Sequence, residues 1–344
     1  MKTMTVNETF IQGALSFKRA GNTLYPCRLP YQRHDLCFAE HLLDRAFCTS
    51  GVRLRLETDA EAIALSFAPL PPPGAAINGH AFDAVIDNEI AQAVFCGKNS
   101  TGVVFERAGQ GLRTIEIWLP PSCRVGLKKI KASKASVLRP LPDRRPMWVT
   151  WGSSITHCVR AGSAARIWPA TVARRHNLNL VNMGFGGACL LEPAVAMVIR
   201  DLPAVCISMK LGINAVGNSL SARTYPALVA GAVAIIREKQ PHTPIALISP
   251  IASPPRERTL SQTGYTLEGM RADMEAVHRN LVAAGDMNLY YVSGLDLFGL
   301  KEINRYSDDK LHPGSEGIDL QAERFSRLVM PLLLGSTSGA VQHP

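Results

Sequence analysis

Two stretches far apart in the chain carry residues able to act together as nucleophile and base. VTWGSSITHC, Val149 to Cys158, places Ser153 and Ser154 side by side behind a short apolar run, with His157 close behind. YSDDKLHPGSEG, Tyr306 to Gly317, sets Asp309 and His312 three positions apart. A carboxylate bonded to one imidazole nitrogen fixes the tautomer and leaves the other nitrogen to take a proton from a serine hydroxyl. Each stretch taken alone has a plainer use. A serine at the end of a strand caps the following helix, and Asp-x-x-His is an ordinary turn ahead of a helix capped by Ser315.

Two further segments hold groups suited to a developing negative charge. NMGFGG, Asn182 to Gly187, brings backbone close to a ligand and offers amide N–H groups without side chains in the way. KLGINA, Lys210 to Ala215, places the Asn214 carboxamide where its NH₂ can point at a substrate oxygen. The first is no dinucleotide fingerprint, because from Gly184 the third glycine would fall at Cys189, and no Walker pattern occurs. The serine is not in a GxSxG elbow either. His34, Asp35 and Glu40 in a polar N-terminal segment, and Arg256 in the PPRER run, are candidates to reach a substrate. No HExxH or similar ligand spacing appears, so neither a metal nor another cofactor is expected.

These segments must be positioned by regular elements, and the chain has two grammars. From about Phe38 to Lys131, runs such as VRLRLET (52 to 58), AIALSFA (62 to 68), FDAVIDNEIAQAVF (82 to 95), TGVVFERA (101 to 108), TIEIWL (114 to 119) and CRVGLKKIKA (123 to 132) alternate at period two. With no long helix between them, they predict an antiparallel sandwich. RPLPDRRP, ending at Pro146, reads as an extended connector. Beyond it, apolar runs at 147–151, 179–183, 204–211, 244–250 and 289–294 alternate with helical periodicity over 168–176, 225–239, 267–284 and 315–334. Strands alternating with helices predict a parallel sheet covered on both faces, with any site at the carboxyl ends of its strands. Ser154, Gly187 and Asn214 all follow such ends.

At 344 residues, with 47% hydrophobic and 19% charged, two domains with sizeable cores are expected. MKTMTVNETF does not read as a secretory signal, and no apolar stretch approaches membrane-spanning length. The eight cysteines show no CxxC pair, which suits buried thiols in a reducing compartment and predicts a cytoplasmic protein. The net charge of +9 is spread along the chain, densest at Lys128, Lys129, Lys131 and Lys134, with aromatics at only 6%. A nucleic-acid partner is therefore not expected, nor is a membrane.

The four segments, in this order and each at a strand end, resemble the sequence blocks of the SGNH (GDSL-type) hydrolases. That resemblance implies a flavodoxin-like three-layer α/β/α domain at 146–336. It makes Ser154 the nucleophile, His312 the base and Asp309 its orienter, with Ser154, Gly187 and Asn214 forming the oxyanion hole. His157 lies too near Ser154 in sequence to face it easily from the same turn. Two positions depart from the family pattern: Ser153 stands for the first block's aspartate, and Ala215 for the aspartate that often follows the asparagine. LPYQRHDLCFAEHLL, GFGGACLLEP and SPIASPPRE also resemble a subfamily with an N-terminal β-sandwich. A jelly-roll-like domain at 1–140 is thus expected, with a flexible tail at 337–344. The implied function is a serine esterase acting through an acyl-enzyme on a small-molecule or carbohydrate ester. Its alternatives are an acyltransferase with the same acyl-enzyme and a catalytically inactive sugar-binding protein.

Overall fold

The computed structural model describes residues 2–72, 79–106, 111–217, 220–305 and 309–335. The N-terminal part runs through β1 (Lys2–Thr5), β2 (Ile11–Gln12), β3 (Ser16–Ala20), β4 (Thr23–Cys27), α1 (Glu40–Phe47), β5 (Arg53–Thr58) and β6 (Ile63–Phe67). It continues with β7 (His80–Ile86), β8 (Glu89–Cys96), β9 (Gly102–Phe105), β10 (Arg113–Trp118), β11 (Leu127–Ala132) and β12 (Leu138–Pro140). One sheet has the order β3-β4-β11-β6-β9 with β1 beside β11; the other has β12-β5-β10-β7-β8 with β2 beside β5. All their pairings are antiparallel. The alternating apolar positions of both sheets, among them Leu54, Leu65, Ile117 and Ile130, face one shared core, with Phe67 stacked on Phe82 at 4.9 Å.

The sandwich differs from the sequence expectation in three places. FDAVIDNEIAQAVF is not one strand, because Asp87 and Asn88 both take positive φ (47° and 74°) and close a two-residue hairpin between β7 and β8. The strands before Phe38, of two to five residues, are too brief for their alternation to read. The connector is not loose: β12 pairs with β5, and the residues after it are locked by charge. Arg53, fully buried, donates to Asp143 at 2.7 Å and to Asn179 at 2.8 Å, and lies over Trp118 at 4.9 Å. Burial alone would raise the Asp143 carboxyl, but the Arg145 hydrogen bonds and the Arg53 charge outweigh it and hold it down to about 2.

The C-terminal part contains β13 (Met147–Gly152), α2 (Ser154–His157), α3 (Trp168–Arg175), β14 (Asn179–Gly184), α4 (Pro193–Asp201), β15 (Cys206–Lys210), α5 (Ile213–Gly217) and α6 (Tyr225–Arg237). It ends with β16 (Ile245–Ile248), α7 (Leu267–Ala283), β17 (Leu289–Val292), α8 (Gly294–Leu297), α9 (Ser315–Leu328) and α10 (Met330–Leu334). The five strands form a wholly parallel sheet of order β14-β13-β15-β16-β17. Separate apolar clusters cover its two faces, so each strand reads as a continuous apolar run. The single helix expected over 315–334 is broken at Val329, since Pro331 has no N–H to donate and its ring would meet the carbonyl four residues back.

The two parts share a core. Leu29, Leu36, Leu42 and Ala46, from the segment containing α1, pack with the apolar cluster on one face of the parallel sheet. Arg28, fully buried, donates to the carbonyls of Cys48 and Arg45 on its own side and to those of Asn182 (2.9 Å) and Gly184 (2.7 Å) on β14. Desolvation lowers its guanidinium to about 10, which still leaves it charged at neutral pH.

The Arg53–Asp143 pair generates a stability prediction. Asp143→Ala removes the closer of the two carboxylates beside the buried Arg53 guanidinium and leaves Glu116, 3.6 Å from Nε, as its counter-ion, so the unfolding free energy should fall by about 1.5–3 kcal/mol in urea titrations. In the unaltered protein the Asp143 carboxyl is depressed on folding, so its contribution is complete above about pH 4 and is lost as pH falls through about 2.

Candidate active site

Ser154 is the first residue of α2, directly after β13, and Ser153 before it is the N-cap, its Oγ accepting from the Ile155 amide at 3.4 Å. The capping role expected of a serine here thus falls to Ser153. The Ser154 hydroxyl is turned instead to His312, Oγ to Nε2 2.8 Å. His312 Nδ1 lies 2.6 Å from Asp309 Oδ2. Asp309 Oδ1 accepts from the amides of Leu311 and His312, both at 3.0 Å, which fixes the carboxylate relative to the ring it faces. A carboxylate accepts only, so Nδ1 carries the proton and Nε2 presents a lone pair to the serine O–H. The Arg160 guanidinium reaches Asp309 Oδ2 at 3.0 Å.

The loop that carries Gly187 lies on Ser154 and is tied to Asn214. The loop after β14 lies against the serine: a Cβ on Gly186 would sit 3.4 Å from Ser154 Cβ. Gly187 follows at φ +73°, a conformation that costs a non-glycine residue energy. Asn214, in α5, accepts from the Cys189 amide at 3.3 Å through Oδ1, which ties it to that loop and leaves Nδ2 as its donating end. The amides of Ser154 and Gly187 donate to no acceptor among the described residues. Beside Ser154 and His312 opens a small pocket, walled mainly by Ile155, Cys158, Val159, Ala161, Pro313 and Ile318. A wider polar depression bearing Ser163, Arg166, Ser315 and Asp319 adjoins it.

Other candidates sit elsewhere. Asp35 is held by Arg33 through two hydrogen bonds of 2.8 and 2.7 Å, and it, His34 and Glu40 are exposed, with none lining the pocket at Ser154. The residue of that segment that reaches the loop bearing Gly187 is His41, whose Nε2 lies 3.5 Å from where a Gly187 Cβ would be. Nothing in the sequence singled it out, because the short helix α1 carries too few turns to show a period. Arg160 was equally silent. Arg256 donates to Ser253 Oγ at 3.0 Å, and Ser253 in turn holds the Lys310 carbonyl at 3.1 Å, within the loop that carries Asp309 and His312. Ser153 and Ala215, standing where the family has aspartates, are both buried. No group of three or more His, Cys, Asp or Glu able to hold a metal ion occurs among the described residues. None of their helices is long and apolar enough to cross a membrane.

His157 does not face Ser154. Fully buried, it sets Nε2 2.9 Å from the Pro121 carbonyl and accepts the Gly186 amide at Nδ1, 3.1 Å. Burial, with the Arg28 charge next, pushes the imidazole well below its ordinary value.

Comparison with known proteins agrees with this architecture. Residues 145–330 match the GDSL-like lipase/acylhydrolase family, and residues 9–128 match the N-terminal domain of SsfX3. The chain belongs to the GDSL-like lipase/acylhydrolase family. Among solved structures it is similar to the salicylyl-acyltransferase SsfX3 from a tetracycline biosynthetic pathway, at 29% identity over 96% of this chain and 97% of that one, TM-score 0.86. A candidate GDSL-like lipase from Bacteroides ovatus shares 18% identity over 97% and 98% of the chains, TM-score 0.79. A family two carbohydrate esterase from Clostridium thermocellum, in complex with cellohexaose, shares 15% over 81% and 92%, TM-score 0.62. The last two show the fold. No curated protein matches.

The buried imidazole makes stability depend on pH. A histidine kept neutral by folding takes up its proton only when unfolded, so its stabilising contribution is complete above about pH 6.5 and declines as pH falls below it, by up to about 1.4 kcal/mol per unit. Urea midpoints measured at pH 7.5 and 5.5 should show that slope, and His157→Gln should lose this part of it.

Proposed function

We propose that the protein is a serine esterase that cleaves esters of small acyl groups through an acyl-enzyme on Ser154. The observation that carries this reading is the unbroken hydrogen-bond chain from Ser154 through His312 to Asp309. His312 takes the Oγ proton as Oγ attacks the ester carbonyl carbon, and the negative charge goes to the former carbonyl oxygen. The amides of Ser154 and Gly187 and the Asn214 carboxamide are the donors for that oxygen. The protonated His312 then gives its proton to the departing alcohol, leaving the acyl group on Ser154. Water, deprotonated by His312, releases the acid and restores the serine. The apolar pocket beside Ser154 suits a small acyl chain, and the polar depression adjoining it suits a hydroxylated alcohol such as a carbohydrate. Eight free thiols fit a reducing compartment such as the cytoplasm.

A second reading has a specific support: SsfX3, similar over nearly the whole chain, is an acyltransferase. There an alcohol acceptor takes the place of water in the second half-reaction, and the residues of this site keep their roles.

A fluorophosphonate probe tests the shared part. One adduct should form on Ser154 and vanish in Ser154→Ala; a folded protein that takes no adduct would remove the reading. Asp309→Asn keeps an oxygen for the two loop amides but presents an NH₂ to Nδ1 in one orientation, and kcat should fall by up to about 10⁴ with Tm little changed. Asn214→Ala should lower kcat by about 10²–10³. Assays with added alcohols, read by mass for the transesterified product, divide esterase from acyltransferase.

A further inference from the structure

We infer that His157 is a positioning residue for the oxyanion loop, through which the N-terminal sandwich sets the geometry of the acyl-transfer site. This rests on the reading of Ser154 just given. The tautomer of His157 follows from its two partners alone. A backbone amide can only donate, so Nδ1, 3.1 Å from the Gly186 N–H, is the unprotonated nitrogen. A carbonyl can only accept, so Nε2, 2.9 Å from Pro121, carries the proton. The ring is thus a neutral strut between a residue of the sandwich and the residue preceding Gly187. Its side chain is completely enclosed, so neither contact is exchanged for water.

The backbone around this ring is held from the same side. Ser50, between α1 and β5, donates its hydroxyl to the His157 carbonyl at 2.6 Å and accepts from Asn182 Nδ2 at 2.9 Å. Asn182 also donates to the Thr156 carbonyl at 3.2 Å and accepts the Gly184 amide at 2.9 Å. Arg28 holds the Asn182 and Gly184 carbonyls. The turn bearing Ser154 and the loop bearing Gly187 are therefore both referenced to Ser50, Arg28 and Pro121. Of these contacts the His157 ring alone reaches Gly186, the residue next to the proposed oxyanion donor. Without it the Gly186 amide has no acceptor, and the peptide leading to Gly187 is free to turn its N–H away from the position where charge develops. A donor misplaced in this way costs rate at the transition state and leaves ground-state binding alone.

The test compares the full-length protein with His157→Phe, which fills the ring's space and removes both hydrogen bonds, and with Ser50→Ala, which spares the ring and cuts the two ties Ser50 makes from the sandwich, to the His157 carbonyl and to Asn182. The readouts are kcat and KM on p-nitrophenyl acetate, Tm, and affinity for phenylboronic acid, which forms a tetrahedral adduct on an active serine. His157→Phe is expected to lower kcat by about 10–10²-fold with KM within about twofold, and to weaken phenylboronic acid by a similar factor. Ser50→Ala is expected to do the same to a smaller, several-fold extent and to remain folded. Folded variants with unchanged kcat and boronate affinity would overturn the inference, as would a loss confined to KM. If His157→Phe does not fold, Ser50→Ala decides alone on the same criteria. An unaltered protein that shows neither esterase activity nor a fluorophosphonate adduct would instead strike the reading of Ser154, a result separate from any effect of the variants.

Discussion

The helical turn that begins with Ser154 lies directly on the backbone of Gly184, where a Cβ would come within 2.3 Å of the His157 amide nitrogen. This close approach governs the rest of the site. Parallel pairing sets Gly152 of β13 opposite Gly184 of β14, so the two strands end level. The chain leaving β13 can then fold back as α2 across the end of β14 only because Gly184 has no side chain. With α2 seated there, Ser154 faces His312 on one side and the Gly186–Gly187 loop on the other. Any side chain at Gly184 would lift α2 and separate Ser154 from both.

The sandwich takes part in this arrangement. A parallel sheet satisfies its backbone bonds between neighbouring strands, but the outward carbonyls of its edge strand need partners from elsewhere. On the edge strand β14 Arg28 provides them at Asn182 and Gly184, and a few residues upstream Arg53 ties β5 to Asn179 and to the connector through Asp143. Both guanidiniums are completely buried, and burying such a charge is costly unless its donors are met. Arg28 has acceptors for all three nitrogens and Arg53 for both terminal nitrogens, its Nε lying 3.6 Å from Glu116, and these acceptors come from both parts of the chain, so the two parts are tied to each other by single hydrogen bonds. A catalytic geometry defined to a few tenths of an ångström benefits from such a fixed support.

The sequence made the parallel sheet legible because strands buried on both faces become unbroken apolar runs, and MWVTW or AVCISMKL admit few other readings. Asp309 and His312 were legible by their spacing, and Gly187 and Asn214 by their place after strand ends. Shorter or more contextual features were not. The early edge strands are too brief to alternate visibly, and the Asp87–Asn88 hairpin hides in a run whose period is continuous across it. The break at Val329 follows from Pro331, although the apolar spacing continues past it. His157 and Arg160 take their roles from Pro121, Gly186 and Asp309, residues distant in sequence, so no local pattern marks them. His34, Asp35 and Glu40 stood out as polar residues in an otherwise mixed segment, yet it is the neighbouring His41 that approaches the oxyanion loop.

A covalent acyl group at Ser154 is the central proposal, and its most direct measurement is the intact mass of the protein quenched by acid during turnover of a slowly hydrolysed ester, followed by peptide mapping. The structure predicts one added acyl group per chain, on the peptide containing Ser154, appearing before free acid accumulates. Turnover without any acylated protein, or an acyl group mapped to another residue, would contradict it.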